Sequence, residues 1–228
     1  MNFIQGDVFE VALPARGFDM IYADPPYAGC RFKYARKNGS RQWGRNARAD
    51  FMRELVARME SLRSERGICA VSMATPELRL LHLFPSNARV FAWVKPFAPF
   101  RPHVWPCFAW EPVVAWGKFC GREEQLASKT PHDWLQLSPK VPKKTNHETP
   151  KPEAFAEWII NTTLGPRRSP VLELFAGTAM LSRVAENLGM EATCVDIDDY
   201  REAQGTFGTG PENDPASEGD DSAGGNAG

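Results

Sequence analysis

The chain has 228 residues, is 43% hydrophobic and 24% charged, and carries a formal net charge of −1. That balance is typical of a soluble globular protein large enough to bury one substantial core. No apolar run approaches the length of a membrane span and no signal-peptide pattern opens the sequence, so a cytoplasmic protein without membrane contact is expected.

Asn2 to Gln5 reads as a strand that ends at Gly6-Asp7. Phe18 to Ala23 reads as a second, buried strand. It runs into Asp24-Pro25-Pro26-Tyr27, where two prolines remove two backbone donors and fix two φ angles. The segment cannot continue inside a sheet and forms a stiff ledge past the strand end. Residues 28–48 form a polar loop rich in Arg and Lys. Asp50 is a candidate N-cap for a helix through about Leu62, with Phe51, Leu55, Val56, Met59 and Leu62 on one face. Gly67 to Ala74 reads as a buried strand, and Pro76 opens a short helix to about Leu83. Ala88 to Lys95 and Phe108 to Trp116 are strand candidates joined by a Pro-rich, aromatic loop containing Phe97, Phe100, His103 and Trp105. Residues 117–150 read as irregular, with Lys140, Lys143 and Lys144 among prolines.

Lys151-Pro152 precedes a helical stretch from Glu153 to Leu164, where Pro152 suits a first turn. Val171-Leu172-Glu173-Leu174 then reads as a strand entering the tight turn Phe175-Ala176-Gly177-Thr178-Ala179. A helix from Met180 to Leu188 and a strand from Glu191 to Asp198 complete a β-α-β unit. Its first turn holds Gly177 where a ligand would approach the backbone. Asp196 follows at about 20 residues, the spacing of an acid that accepts from ribose hydroxyls. Alternating strands and helices argue a mixed, mostly parallel α/β sheet with helices on both faces. The first strand is expected beside the last. The tail, 204–228, holds five acids and no Lys or Arg, and reads as a disordered, acidic, Gly-rich segment. Without it the remainder stands near +4.

Five cysteines (Cys30, Cys69, Cys107, Cys120 and Cys194) lack any C-x-x-C spacing, and the four histidines lack ligand spacing, so reduced thiols and no metal are expected.

Asp24-Pro25-Pro26-Tyr27 resembles the catalytic motif of the amino-group nucleic-acid methyltransferases. Phe175 to Thr178 resembles that family's Phe-x-Gly-x-Gly cofactor motif, with Ala179 in place of the last glycine. The catalytic tetrapeptide precedes the cofactor turn, an order similar to that of the permuted β group. The resemblance covers roughly residues 2–200 and is specific only at the motifs. It implies a Rossmann-like class I methyltransferase fold over residues 1–203, with a short recognition insert at about 117–150 and a late pair of strands that is antiparallel. It also implies S-adenosylmethionine as cofactor, held by Asp7, Lys151, Glu173, Phe175, Ala176, Gly177, Thr178 and Asp196. Lys151 is expected at the methionine end and Asp7 near the adenine ring.

The implied reaction is direct methyl transfer to adenine N6 of a flipped DNA base. An amino nitrogen conjugated with its ring is a poor nucleophile. Hydrogen bonds to Asp24 and the Pro25 carbonyl would favour a tetrahedral nitrogen, and Tyr27 would stack on the base. Arg36, Lys37, Arg41, Trp43, Arg45 and Arg48 follow the ledge and suit phosphate contact and stacking. The short insert leaves room for a homodimer or a separate specificity partner. Cytosine-N4 methylation, an RNA substrate and a catalytically silent nucleic-acid-binding subunit of the same fold stand as alternatives.

Overall fold

Alternation along strand β2 (Phe18–Ala23) sends Ile21 and Ala23 into one apolar layer and Met20 and Tyr22 into the other. A strand buried on both faces belongs in the middle of a sheet that is covered on both sides. The computed structural model describes residues 1–27, 47–96, 106–121, 131–139 and 151–198, and β2 is central in it. The other strands are β1 (Asn2–Gln5), β3 (Arg63–Ser72), β4 (Arg89–Val94), β5 (Trp110–Gly117), β6 (Trp134–Gln136), β7 (Val171–Leu174) and β8 (Ala192–Asp196). They form one sheet in the order β1-β8-β7-β2-β3-β5-β4-β6.

One apolar layer is covered by helix α1 (Ala47–Leu62) and a 3-10 helix (Thr75–Leu83). The opposite layer is covered by α2 (Glu153–Leu164) and α3 (Met180–Asn187). In α1, Phe51, Met52, Leu55, Met59 and Leu62 are buried at helical spacing. Asp50 lies in the first turn of α1 rather than capping it, and pairs there with Arg53 at 2.7 Å. Gly165, with φ of 60°, ends α2 in the left-handed region.

β1 lies parallel to β8, with Gln5 opposite Asp196, so the first strand does sit beside the last. The late strands β7 and β8 are parallel, contrary to expectation, because α3 crosses back between them. The reversed strand is β5, which pairs antiparallel with both β3 and β4. Two further differences are local. β3 begins at Arg63, directly after α1, with a register shift between Phe18 and Met20 on β2. β6 forms inside a stretch expected to be irregular: it is three residues long, pairs with β4, and carries little strand signal of its own.

Candidate active site

Ala23 lies opposite Leu174, Leu174 opposite Val195, and Val195 opposite Ile4. The carboxyl ends of β2, β7, β8 and β1 are therefore level, and the segments that leave them open at one end of the sheet. This is where ligands bind in open α/β sheets. Among the described residues, the last backbone hydrogen bond between the ledge and the sheet is that of Asp24 N–H, which donates to the Leu174 carbonyl at 3.4 Å. Pro25 and Pro26 then have no N–H to give.

Lys151 meets Asp24 at the ledge and links it to Tyr27, Glu111 and Lys95. Lys151 Nζ donates to Asp24 Oδ2, and it also donates to the Tyr27 hydroxyl at 3.3 Å. Its distance to Glu111 Oε2 is 4.0 Å. The Tyr27 hydroxyl donates to Glu111 Oε2 at 3.1 Å, and Lys95 Nζ pairs with Glu111 Oε1. The Lys151 ammonium also stands over the rings of Tyr27 and Phe155, at 5.6 and 5.8 Å. Burial, then the charges of Asp24 and Glu111, push the Tyr27 phenol well above its ordinary value, so it stays a donor. Asp24 is 29% exposed, and among the described residues nothing donates to its Oδ1. The structure thus brings Lys151 to the ledge. Glu111 and Lys95 were missed from the sequence, although a lone acid in the apolar run Phe108 to Trp116 was a signal.

The turn after β7 is held in an unusual shape. Phe175, Gly177 and Ala179 have φ of 57°, 50° and 53°. For the two non-glycine residues this costs about 1–2 kcal/mol each. Phe175 is secured by its ring, which packs on Phe51 at 5.9 Å and Phe9 at 6.4 Å. Ala179 is fully buried among Ala176 and Cys194. Burying its methyl returns about 0.8 kcal/mol, which offsets part of that cost.

Asp196 Oδ2 accepts from Gly177 N–H at 2.8 Å, and Oδ1 accepts from Asp198 N–H at 3.0 Å. Burial raises its carboxyl, and these amides oppose the rise. Asp7 follows β1 alongside: Gly6 N–H donates to the Asp196 carbonyl, and Asp7 Oδ1 accepts from Phe9 N–H at 2.9 Å. Both acids are 8% exposed. Ala176, Gly177 and Thr178 lie between the ledge and Asp196 in the same level row of strand ends.

Glu173 departs from the expected role. Its two oxygens accept from Leu181 N–H at 3.2 Å and Ser182 N–H at 2.8 Å, so it is turned toward the start of α3. An acid at a helix N-terminus steadies the helix and with it the turn. Burial pushes its carboxyl up to about 7, against those hydrogen bonds. Between the ordinary value of 4.5 and about 7, the folded protein holds a proton that the unfolded chain has released. Stability therefore falls as pH rises through that window, by up to about 3 kcal/mol. Glu173→Gln is expected to flatten this dependence, measured by urea unfolding at about pH 5 and about pH 8. An unchanged slope would remove Glu173 as its source.

Arg48 also departs from expectation. Its side chain is 11% exposed, pairs with the buried Glu77, and lies over the Phe51 ring at 5.0 Å. Glu77 in turn accepts from Ala74 N–H at 3.0 Å. Arg48 therefore anchors α1 to the 3-10 helix rather than facing solvent. Arg36, Lys37, Arg41, Trp43 and Arg45 lie outside the described residues, as do the aromatic loop residues 97–105, Lys140, Lys143, Lys144, Cys30 and the tail. Cys69 and Cys194 are buried, and Cys107 and Cys120 are half-buried. Among the described residues no helix is long and apolar enough to cross a membrane, and no cluster of His, Cys, Asp and Glu is arranged to hold a metal.

No protein-family model and no curated protein sequence matches the chain. Solved structures do match. The PvuII DNA methyltransferase, described as cytosine-N4-specific, superposes with a TM-score of 0.71 at 17% identity, over 88% of this chain and 83% of that one. The fold is that of the methyltransferases. The complex of M1.HpyAVI with SAM superposes at 0.58 and 21% identity, over 87% of this chain and 94% of that one. TTHA0409 of Thermus thermophilus, complexed with S-adenosyl-L-methionine, gives 0.60 and 18%, over 89% and 92%. At these identities the methyltransferase likeness is one of fold.

Proposed function

We propose that the protein transfers a methyl group from S-adenosylmethionine to an exocyclic amino group of a DNA base, with adenine N6 as the target. The observation that carries this reading is the hydrogen bond between Asp24 and Leu174. It sets a rigid row of acceptors directly beside a strained glycine turn, and a base and a nucleoside cofactor need that adjacency. The structural likeness to the PvuII enzyme and to two complexes with the cofactor supports it.

The turn residues fit a nucleoside. Asp196 is a buried carboxylate fixed by the Gly177, Asp198 and Ile197 amides, and a carboxylate accepts up to about four hydrogen bonds, which leaves capacity for a ribose hydroxyl. Asp7 offers a second acid next to it. Phe175 to Thr178 present backbone at close range. Bound there, the cofactor supplies an electrophilic methyl carbon. The remaining work falls to the ledge. Asp24 accepts an amino hydrogen of the base and turns the nitrogen lone pair out of conjugation, with the Pro25 carbonyl as second acceptor. Tyr27 offers a ring face to a base taken out of the stack. Lys151 holds Asp24 in place.

Incubation with labelled cofactor and DNA, then digestion to nucleosides, tests the reading: N6-methyladenine is expected. The superposition on a cytosine-N4 enzyme favours N4-methylcytosine as the second reading. An aspartate at the first ledge position leans toward adenine. Label in RNA alone would make the substrate RNA. Cofactor binding without transfer to any nucleic acid would favour the silent subunit.

The basic loop after the ledge is the proposed phosphate contact, without Arg48. Removing both Arg41 and Arg45 is expected to weaken DNA binding and lower the salt slope by about 2. Arg48→Ala is expected to lower the melting temperature instead, because it takes the paired cation away from the buried Glu77 carboxylate. An Arg48→Ala protein with parent stability and a reduced salt slope would return Arg48 to the DNA surface.

A further inference from the structure

Glu111 has no part in the reaction described so far, yet its position is costly. It sits near the start of β5, opposite Trp93 on β4, and only 19% of its side chain is exposed. The strand beyond it, Val113 to Trp116, is wholly buried. A carboxylate sunk into an apolar strand loses hydration and needs partners. Glu111 has one on each oxygen: Lys95 on Oε1 and the Tyr27 hydroxyl on Oε2 at 3.1 Å. Lys95 is itself fixed, with its ammonium 4.6 Å from the centre of the Trp93 ring. Trp93 is anchored by its indole N–H, which donates to the Leu137 carbonyl at 3.0 Å, and by Phe155 at 5.1 Å.

A line of contacts therefore runs from the core to the phenol of Tyr27. The hydroxyl has one hydrogen, which goes to Glu111, and a lone pair, which accepts from Lys151. Both capacities are used, and in opposite senses, so the ring is held at its far end as well as at its backbone. A stacking platform must be held to within about half an ångström to be useful.

We propose that Glu111, braced by Lys95, is a positioning residue that acts through the Tyr27 hydroxyl to hold the ring face in place for an extruded base. This rests on the reading of the ledge as a base-binding site. It also gives the hydroxyl a task separate from that of the ring. Tyr27→Phe should keep the stacking surface and lose its restraint.

The test is a double-mutant cycle of Glu111→Ala and Tyr27→Phe. It measures single-turnover methyl transfer, cofactor affinity by calorimetry, and the fluorescence of 2-aminopurine placed at the target position, which reports stacking of the flipped base. Glu111→Ala alone is expected to slow transfer about five- to tenfold and change the fluorescence, with cofactor affinity at the parent value. In the Tyr27→Phe background the same substitution should add little, as contacting residues in one network do. Glu111→Gln, which keeps an acceptor for the phenol, should recover part of the rate and guards against a folding defect in the alanine variant. Equal losses in both backgrounds would show that Glu111 acts elsewhere and overturn the proposal. So would a parent rate in Glu111→Ala. A parent protein that transfers no methyl group and gives no fluorescence change overturns the base-binding reading itself, and this role with it.

Discussion

Asp24→Ala is expected to lower single-turnover methyl transfer by about 10²–10³-fold, the usual loss when one preorganised group at the reacting centre is removed. Cofactor affinity should stay at the parent value, because the proposed cofactor contacts are on the turn and at Asp196. The fold should also survive. Lys151 keeps the Tyr27 hydroxyl at 3.3 Å and Glu111 at 4.0 Å, so the substitution does not strand a buried cation. Asp24→Asn keeps a carbonyl acceptor of the same shape and should retain part of the rate. Rapid-quench measurements with saturating cofactor decide the matter. Near-parent transfer by Asp24→Ala would mean that the ledge is not where the reaction occurs.

The second large effect is expected at Asp196. Replacing it with alanine removes a charged acceptor for the ribose, and it also releases the Gly177 and Asp198 amides that the carboxylate holds at 2.8 and 3.0 Å. Charge-assisted hydrogen bonds contribute about 1.5–3 kcal/mol each. The turn is already strained at Phe175, Gly177 and Ala179, so losing the Gly177 anchor should loosen it further. Titration calorimetry should show cofactor affinity reduced at least about tenfold, while the strand itself persists through its buried Cys194 and Val195. An unaltered affinity would take Asp196 out of the site and leave Asp198 as the next candidate.

What was legible in the chain was whatever one segment specifies by itself. The apolar run before Asp24, the proline pair, the glycine turn and the apolar pattern of Glu153 to Leu164 each carry their own signal, and each appears at the expected place. What was not legible depends on partners far away in sequence. Arg48 looks like one more cation of a basic loop until Glu77 is found beside it. Glu173 looks like part of the cofactor motif until α3 turns its first amides toward it. Glu111 and Tyr27 are 84 positions apart and meet only through the register of β5 in the sheet. The direction of β5 was hidden for the same reason, since strand polarity follows from the connection rather than from the strand's composition.

The pairing of β1 with β8 sets an order on the making of the site during synthesis. Asp7 is synthesised long before Asp196. The lengthy excursion between them must be closed before the two acids stand side by side, which makes this a long-range contact. A nascent chain halted before β8 would already contain the ledge sequence and the glycine turn, but it would lack the acid that ties the turn down. The proposed capacity to hold a nucleoside then arises only together with the closing of that edge of the sheet.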